Sequence, residues 1–158
     1  MLYFRTITFE HIEGQLVEKA IRQYTVKRHT PLDLQSSATY IGTEKLFLGR
    51  ENEKSIQLTR IRSPFERLLP RLIISFDNQA TFTQYKIRYS LLSNIAFIFL
   101  ASALIANIIY WLSGYPDENG IIPVLLLFAI FLFLTSLELR FTKSRLKTAI
   151  DRVTQAGF

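Results

Sequence analysis

The 158-residue chain has no cysteine, which excludes disulfide bridges, thiolate metal sites and thiol nucleophiles. It has two histidines, His11 and His29. The loops that cradle phosphate or present a nucleophile are missing: there is no G-x-x-x-x-G-K-[ST], no G-x-G-x-x-G and no G-x-S-x-G. Glu10-His11-Ile12-Glu13 sets carboxylates beside an imidazole, but that spacing matches no established metal site. Acids there suit the positive end of a helix dipole instead. His29, close to Asp33, has the same standing. No metal, cofactor or catalytic group is therefore expected, and the chain is read as a non-enzyme.

Charge is missing from one long region. Of 19 basic and 13 acidic residues, only Asp117 and Glu118 fall within positions 91–137. That concentration is invisible in the overall averages, 49% apolar residues and a mean hydropathy of +0.18. It excludes a disordered chain and an ordinary soluble globule. Residues 91–112 form an uncharged run that as a helix reaches about 33 Å, enough to cross a hydrocarbon core of about 30 Å. Residues 121–137 form a second run, at the short limit for a span unless Glu138 is accepted at the interface, where a carboxylate can reach water. Two such runs leave too little chain to cover them as core helices. Ser113 to Gly120 supplies Gly and Pro to end the first helix and turn the chain, with Tyr110, Trp111 and Tyr115 as an interfacial aromatic belt. Pro123 falls in the first turn of the second helix, where a missing N–H costs nothing.

Lysine and arginine orient the pair. Arg71, Lys86 and Arg88 precede the first run; Arg140, Lys143, Arg145, Lys147 and Arg152 follow the second; the linker has neither. By the positive-inside rule, both termini are expected in the cytoplasm of a multi-pass protein of bacterial inner-membrane type. Within the first run, Ala96, Ala103 and Asn107 share a helical face. They are the candidates for transmembrane packing, the amide being able to bond across a contact, against the second span or in self-association. The second run offers only Thr135 and Ser136 as polar residues, too few to suggest a conducting pore.

Residues 1–90 carry 14 basic and 9 acidic side chains and are expected to form a cytosolic α+β domain. Residues 3–9 read as a strand. Ile12, Leu16, Val17, Ala20, Ile21 and Tyr24 recur at helical spacing and predict an amphipathic helix from about residue 10 to 24, packed on a sheet. Residues 25–37 read as a connecting loop. Short strand-like runs follow at 38–42, 45–49, 55–62, 71–77 and 81–89, and their close spacing predicts antiparallel hairpins. In the last run Tyr85, Ile87 and Tyr89 alternate with Gln84, Lys86 and Arg88, as in a half-buried sheet. Residues 63–70, bracketed by prolines, are expected either to cover an open end of the sheet or to dip into the membrane surface. After the hairpin (91–139), residues 140–158 are expected to form a basic helical tail, with Leu146, Ala149, Ile150 and Val153 as its apolar stripe and Gly157 as its stop.

Phe47-Leu48-Gly49, Ser55-Ile56-Gln57-Leu58, Leu69-Pro70-Arg71-Leu72-Ile73-Ile74 and Tyr85-Lys86-Ile87-Arg88, followed by an apolar hairpin, resemble a group of uncharacterised small bacterial membrane proteins with a β-rich cytosolic domain before two transmembrane helices. The group's glycine after the proline is absent here. The resemblance implies location and architecture and brings no catalytic residues.

Arg60, Arg62, Arg67, Arg71, Lys86 and Arg88 are the candidate ligand- or headgroup-binding residues. If their strands are neighbours, these cations converge near the bilayer. Each well-placed cation near anionic headgroups contributes about 1 kcal/mol, and arginine forks suit a phosphate-bearing small ligand or an acidic partner. Nucleic acid is not expected, because the excess charge is modest and no recognition motif is present. The function expected is a non-enzymatic membrane protein whose domain binds a partner or ligand at the membrane while the hairpin anchors or oligomerises it. The expected partners are the lipid bilayer and further copies or other membrane subunits. Two alternatives belong to other classes: a nucleotide-triggered membrane-disrupting effector of antiphage type, and an accessory subunit of a larger membrane complex.

Overall fold

The apolar run Leu72-Ile73-Ile74 and the alternation of apolar and polar residues along 84–89 build the centre of a sheet. The computed structural model describes residues 3–9, 13–33, 44–52, 55–77, 82–113 and 118–156. In chain order these form β1 (Tyr3–Thr8), α1 (Gly14–Tyr24), β2 (Thr25–Lys27), β3 (Phe47–Glu51), β4 (Ser55–Arg60), a 3-10 turn (Pro64–Leu68), β5 (Leu72–Asp77), β6 (Gln84–Tyr89), α2 (Leu91–Leu112) and α3 (Glu118–Gln155). The fold is α+β. The strands make one six-stranded sheet in the order β1-β6-β5-β4-β3-β2. The strand expected at 38–42, Glu10 to Ile12, residues 114–117 of the linker and Gly157 lie outside the described residues.

Neighbours from β3 through β6 pair antiparallel, as does β1 with β6. The sheet is nevertheless mixed, which corrects the antiparallel expectation: β2 pairs parallel with β3, from Thr25 opposite Phe47 to Lys27 opposite Gly49. A parallel pair needs a return connection of about a dozen residues or more, and residues 28–46 supply it. The segment expected to be all loop thus begins with an edge strand, starting on the β-branched pair Thr25 and Val26.

One face of the sheet carries Phe47, Ile56, Leu58, Leu72, Ile74, Phe76, Tyr85 and Ile87. Val17, Ala20, Ile21 and Tyr24 of α1 cover it together with Leu146, Ala149, Ile150 and Val153 of α3. Both helices bury stripes spaced by three, four or seven residues, the repeat of one helical face. On the other face Leu32, Leu48 and Ile73 form a small second cluster with Val26 and Ile61. β5 is therefore covered on both sides, and its run of Leu72, Ile73 and Ile74 is buried throughout.

α2 and α3 are both long and apolar enough to cross a membrane. Their apolar stretches are not core segments: none of the most apolar part of α2 is buried, and only 6% of that of α3. They pack together through rings, with Phe97 against Phe128 and Phe131 at 6.0 and 6.1 Å between centroids and Tyr89 against Phe131 at 5.9 Å. α3 is unbroken for 38 residues, about 57 Å at 1.5 Å per residue, nearly twice a hydrocarbon core. No break separates the apolar run from the basic tail. One helix is uniformly apolar at its start and supplies the sheet's cover at its end.

Gly49 in β3 marks a close approach. A Cβ there would collide with the Thr25 methyl and lie 2.9 Å from a Leu58 methyl. Threonine is stiff at χ1 and Leu58 is fully buried, so neither yields cheaply. We expect Gly49→Ala to destabilise the domain by about 1–3 kcal/mol, read as a lowered unfolding midpoint in detergent-solubilised protein.

Candidate functional site

Glu138 sits on α3 just past its apolar run. It is 0% exposed, where the sequence had suggested an interfacial carboxylate reaching water. Arginines replace the water. Arg60, the last residue of β4, donates from Nη2 to Glu138 Oε2 at 2.7 Å, and Arg62 donates from Nη2 to Oε1 at 3.0 Å. Residues two apart on an extended chain share a side, so both forks reach one helix. Arg60 Nη1 also donates to Glu66 Oε1 at 2.7 Å. Glu66 Oε2 in turn accepts from the Ser63 backbone N–H at 2.8 Å, closing a capping box on the 3-10 turn. Arg62 satisfies the carbonyls of Leu69 and Pro70 at 2.7 and 2.9 Å. Phe141, one turn along α3, lies under the Arg60 guanidinium with its ring centroid 5.3 Å away.

These surroundings treat the two arginines differently. Burial alone would lower the Arg60 pKa, but the bonds and charges of Glu138 and Glu66 more than offset it and the pKa is raised. Arg62 is lowered: burial dominates, Glu138 offsets only part of it, and the Arg60 charge repels. For Glu66, burial favours the neutral acid, yet the bonds from Ser63 and Arg60 and the Arg60 charge hold its carboxyl below the usual range.

The other expected cations do not join this cluster. Arg88 points to the opposite face of the sheet and forks onto Asp33 at 3.0 and 2.9 Å. Asp33 also accepts from the backbone N–H of Leu91 at 2.8 Å, which places a carboxylate at the start of α2, the favourable end of the helix dipole. Burial would raise the Asp33 pKa, but these bonds and the neighbouring arginines lower it. Arg71 donates to the Leu32 carbonyl at 3.0 Å. Arg67 and Lys86 are exposed. The six expected cations thus fall into two buried ion-pair systems, Arg71 on a backbone carbonyl and two surface cations, because the register across strands sends Arg60 and Arg88 to opposite faces of the sheet. Ala96, Ala103 and Asn107 are all half-buried on α2. In place of a bond across the helix contact, the Asn107 amide donates to the Ala103 carbonyl of its own helix at 2.8 Å.

The open feature beside the Arg60–Glu138–Arg62 network is a cleft of about 540 Å³ between the end of α1, the start of β3 and the last turns of α3, within the usual size of small-ligand sites. Lys45, Arg62, Arg145 and Arg152 bring four positive charges to its wall, against Glu44 and Glu66. Glu66 is already paired with Arg60, which leaves the lining net positive. Arg152 lies over the Tyr24 ring at 5.7 Å. The buried Nε of Arg62 has no hydrogen-bond partner among the described residues. Of this lining only Arg62 was among the candidates from sequence. Arg145 and Arg152 had served only to orient the spans, although their seven-residue spacing on a helix already placed them on one side. Among the described residues no cluster of three or more His, Asp or Glu side chains can hold a metal ion.

No family model, no curated protein and no solved structure matches this chain.

Two outcomes follow from the buried charges. Glu138→Ala leaves two guanidinium groups buried without their carboxylate and should cost about 3–5 kcal/mol. The triple change Arg60→Met/Arg62→Met/Glu138→Leu should recover most of that loss in chemical unfolding of the solubilised protein. Asp33 and Glu66 both have folded pKa values below their ordinary 3.8 and 4.5. Their contribution is fully present above those ordinary values and is lost as pH falls through the depressed ones. The thermal midpoint should therefore fall below about pH 4, and Asp33→Asn should make that fall shallower.

Proposed function

We infer that the protein is a two-span integral membrane protein, of bacterial inner-membrane type with both termini cytoplasmic, and that its sheet domain holds a phosphate-bearing anion in the cationic cleft at the membrane face. The proposed role is binding, not catalysis, with the hairpin as anchor or assembly element. One observation carries this reading. α3 supplies both the apolar stretch and, on the same unbroken rod, two arginines of the cleft wall, Arg145 and Arg152.

The distance along that rod supports the placement. Arg145 lies seven residues beyond Glu138, about 10 Å along the helix, so a cleft anchored there sits within reach of anionic headgroups and remains open to solutes. Planar arginine forks match phosphate oxygens in pairs, and hydrogen bonds between ionised groups are the stronger kind. The asymmetry of Lys and Arg about the two apolar runs supports the orientation.

The test is titration of inorganic pyrophosphate into the full chain in phosphatidylcholine nanodiscs. A parallel series replaces part of the phosphatidylcholine with phosphatidic acid and omits pyrophosphate. Saturable binding of pyrophosphate identifies a soluble ligand; recruitment of phosphatidic acid identifies a lipid headgroup. Arg145→Glu/Arg152→Glu should weaken whichever is bound by about tenfold or more, since about 1.4 kcal/mol is tenfold, while Lys86→Ala leaves it unchanged. Absence of both responses in the unsubstituted protein overturns the reading.

A further inference from the structure

Two large apolar side chains of the sheet domain stand in the open. Phe65 is 94% exposed and Leu68 is 85% exposed, more than any large apolar residue described on α2 or α3. Both belong to the 3-10 turn Pro64–Leu68. In a 3-10 helix side chains three apart eclipse one another, so the two project side by side. Arg67, exposed, stands between them in sequence, and Glu66 turns inward to Arg60. The turn is held firmly. It has a capping box at Ser63 and Glu66, and the carbonyls of Leu69 and Pro70 are bound by Arg62.

Its attachments fix its level in the molecule. At one end Glu66 is joined through Arg60 to Glu138, the first charged residue after the apolar run of α3. At the other end Arg71 binds the first turn of α2: its N–H donates to Ser93 Oγ at 2.8 Å, and its carbonyl accepts from the Ser90 N–H at 2.9 Å. The turn is therefore tied to both apolar helices where each meets the sheet domain.

We propose that Phe65 and Leu68 are inserted into the headgroup region of the same bilayer that α2 and α3 cross, with Arg67 among the lipid phosphates. The inference rests on the membrane reading of the two helices and is independent of the ligand in the cleft. The occupant of this apolar lip is lipid, because the lip continues the rim of the two apolar helices. An aromatic and an aliphatic residue beside a cation are the chemistry of an interfacial anchor, since the apolar groups gain burial and the cation reaches phosphate.

The absence of native cysteine makes the test direct. Single variants Phe65→Cys, Leu68→Cys, Phe99→Cys and Lys147→Cys are labelled with a small fluorophore in the full chain. They are reconstituted into vesicles of phosphatidylcholine and phosphatidylglycerol, opened to both faces, and exposed separately to nitroxide lipid and to aqueous iodide. Residues 65, 68, 99 and 147 are all exposed, so the substitutions leave the core intact. Labels at 65 and 68 should lose fluorescence to a shallow nitroxide lipid and resist iodide, and the label at 147 should do the reverse. If 65 and 68 behave like 147 while 99 is quenched only by lipid, the lip is in water and the proposal falls with the membrane reading intact. If 99 is quenched by iodide, the membrane reading falls and takes the lip with it. Resistance of 65 and 68 to both quenchers means that protein covers them, and this too overturns the proposal.

Discussion

The contact on which the arrangement turns is the carboxylate of Glu138 held between Arg60 and Arg62. Desolvating three charged groups is expensive, and well-packed apolar groups of the same volume often serve stability as well or better. What the network supplies here is position. Along a uniformly apolar helix surface, sliding or rotation changes packing energy only gradually. A single carboxylate that must meet two guanidinium groups allows one register: a shift of one residue rotates Glu138 by about 100° and breaks both of its pairs, leaving Arg60 with Glu66 alone. The interaction thus sets how far α3 extends beyond the sheet and which of its faces the sheet receives. Leu146, Ala149, Ile150 and Val153 can then complete the core.

A second ion pair performs the complementary task on the other side of the sheet. Arg88 holds Asp33, and Asp33 receives the first N–H of α2. β6 passes into α2 with only Ser90 between them, so this junction has almost no slack. The two apolar helices are tied to the sheet domain by ion pairs on opposite faces of the sheet: an acid on α3 meets Arg60 and Arg62, and Arg88 of β6 meets an acid beside α2. Rotation of the domain about either junction strains the other. The Tyr89, Phe97, Phe128 and Phe131 rings fill the angle between the helices just beyond these anchors, which makes the junction stiff where a linker would have made it loose.

Local pattern carried the parts of this fold that depend on local chemistry. The α1 stripe, the alternation of β6, the hairpin pairing of β3 through β6 and the two apolar runs were all readable, because each follows from a period of 3.6 or 2 or from length alone. Pairings between distant segments were not. β1 joins the last strand of the sheet, and β2 joins β3 in parallel; neither Tyr3 nor Thr25 announces its partner. The site shows the same division. Spacing placed Arg60 with Arg62 and Lys86 with Arg88 correctly, but which side of the sheet each pair faces depends on register across several strands. Glu138 was visible as a lone acid at the end of an apolar run. Such a residue can take a cationic partner, but nothing in the sequence paired it with Arg60, at the end of β4, and Arg62, two residues on.

The cleft and the clamp share parts, and that has a thermodynamic consequence under the proposed function. Arg62 lines the cleft and bonds Glu138, while Glu66 lines it and bonds Arg60. An anion entering the cleft draws on the unpartnered Nε of Arg62 and on the field of Arg145 and Arg152, and it opposes the charges of Glu66 and Glu138. Its binding free energy therefore depends on how tightly Glu138 is held, and linkage makes the dependence mutual: by whatever factor release of Glu138 changes the affinity of the cleft, occupation of the cleft changes that release equilibrium by the same factor. Because α3 is unbroken from the apolar stretch to Arg152, the hold on Glu138 would also be the setting of the helix in the proposed membrane. A domain joined to its apolar helices by a flexible linker would lack this coupling; under the proposed function it follows from one helix serving both as apolar rod and as wall of the cleft.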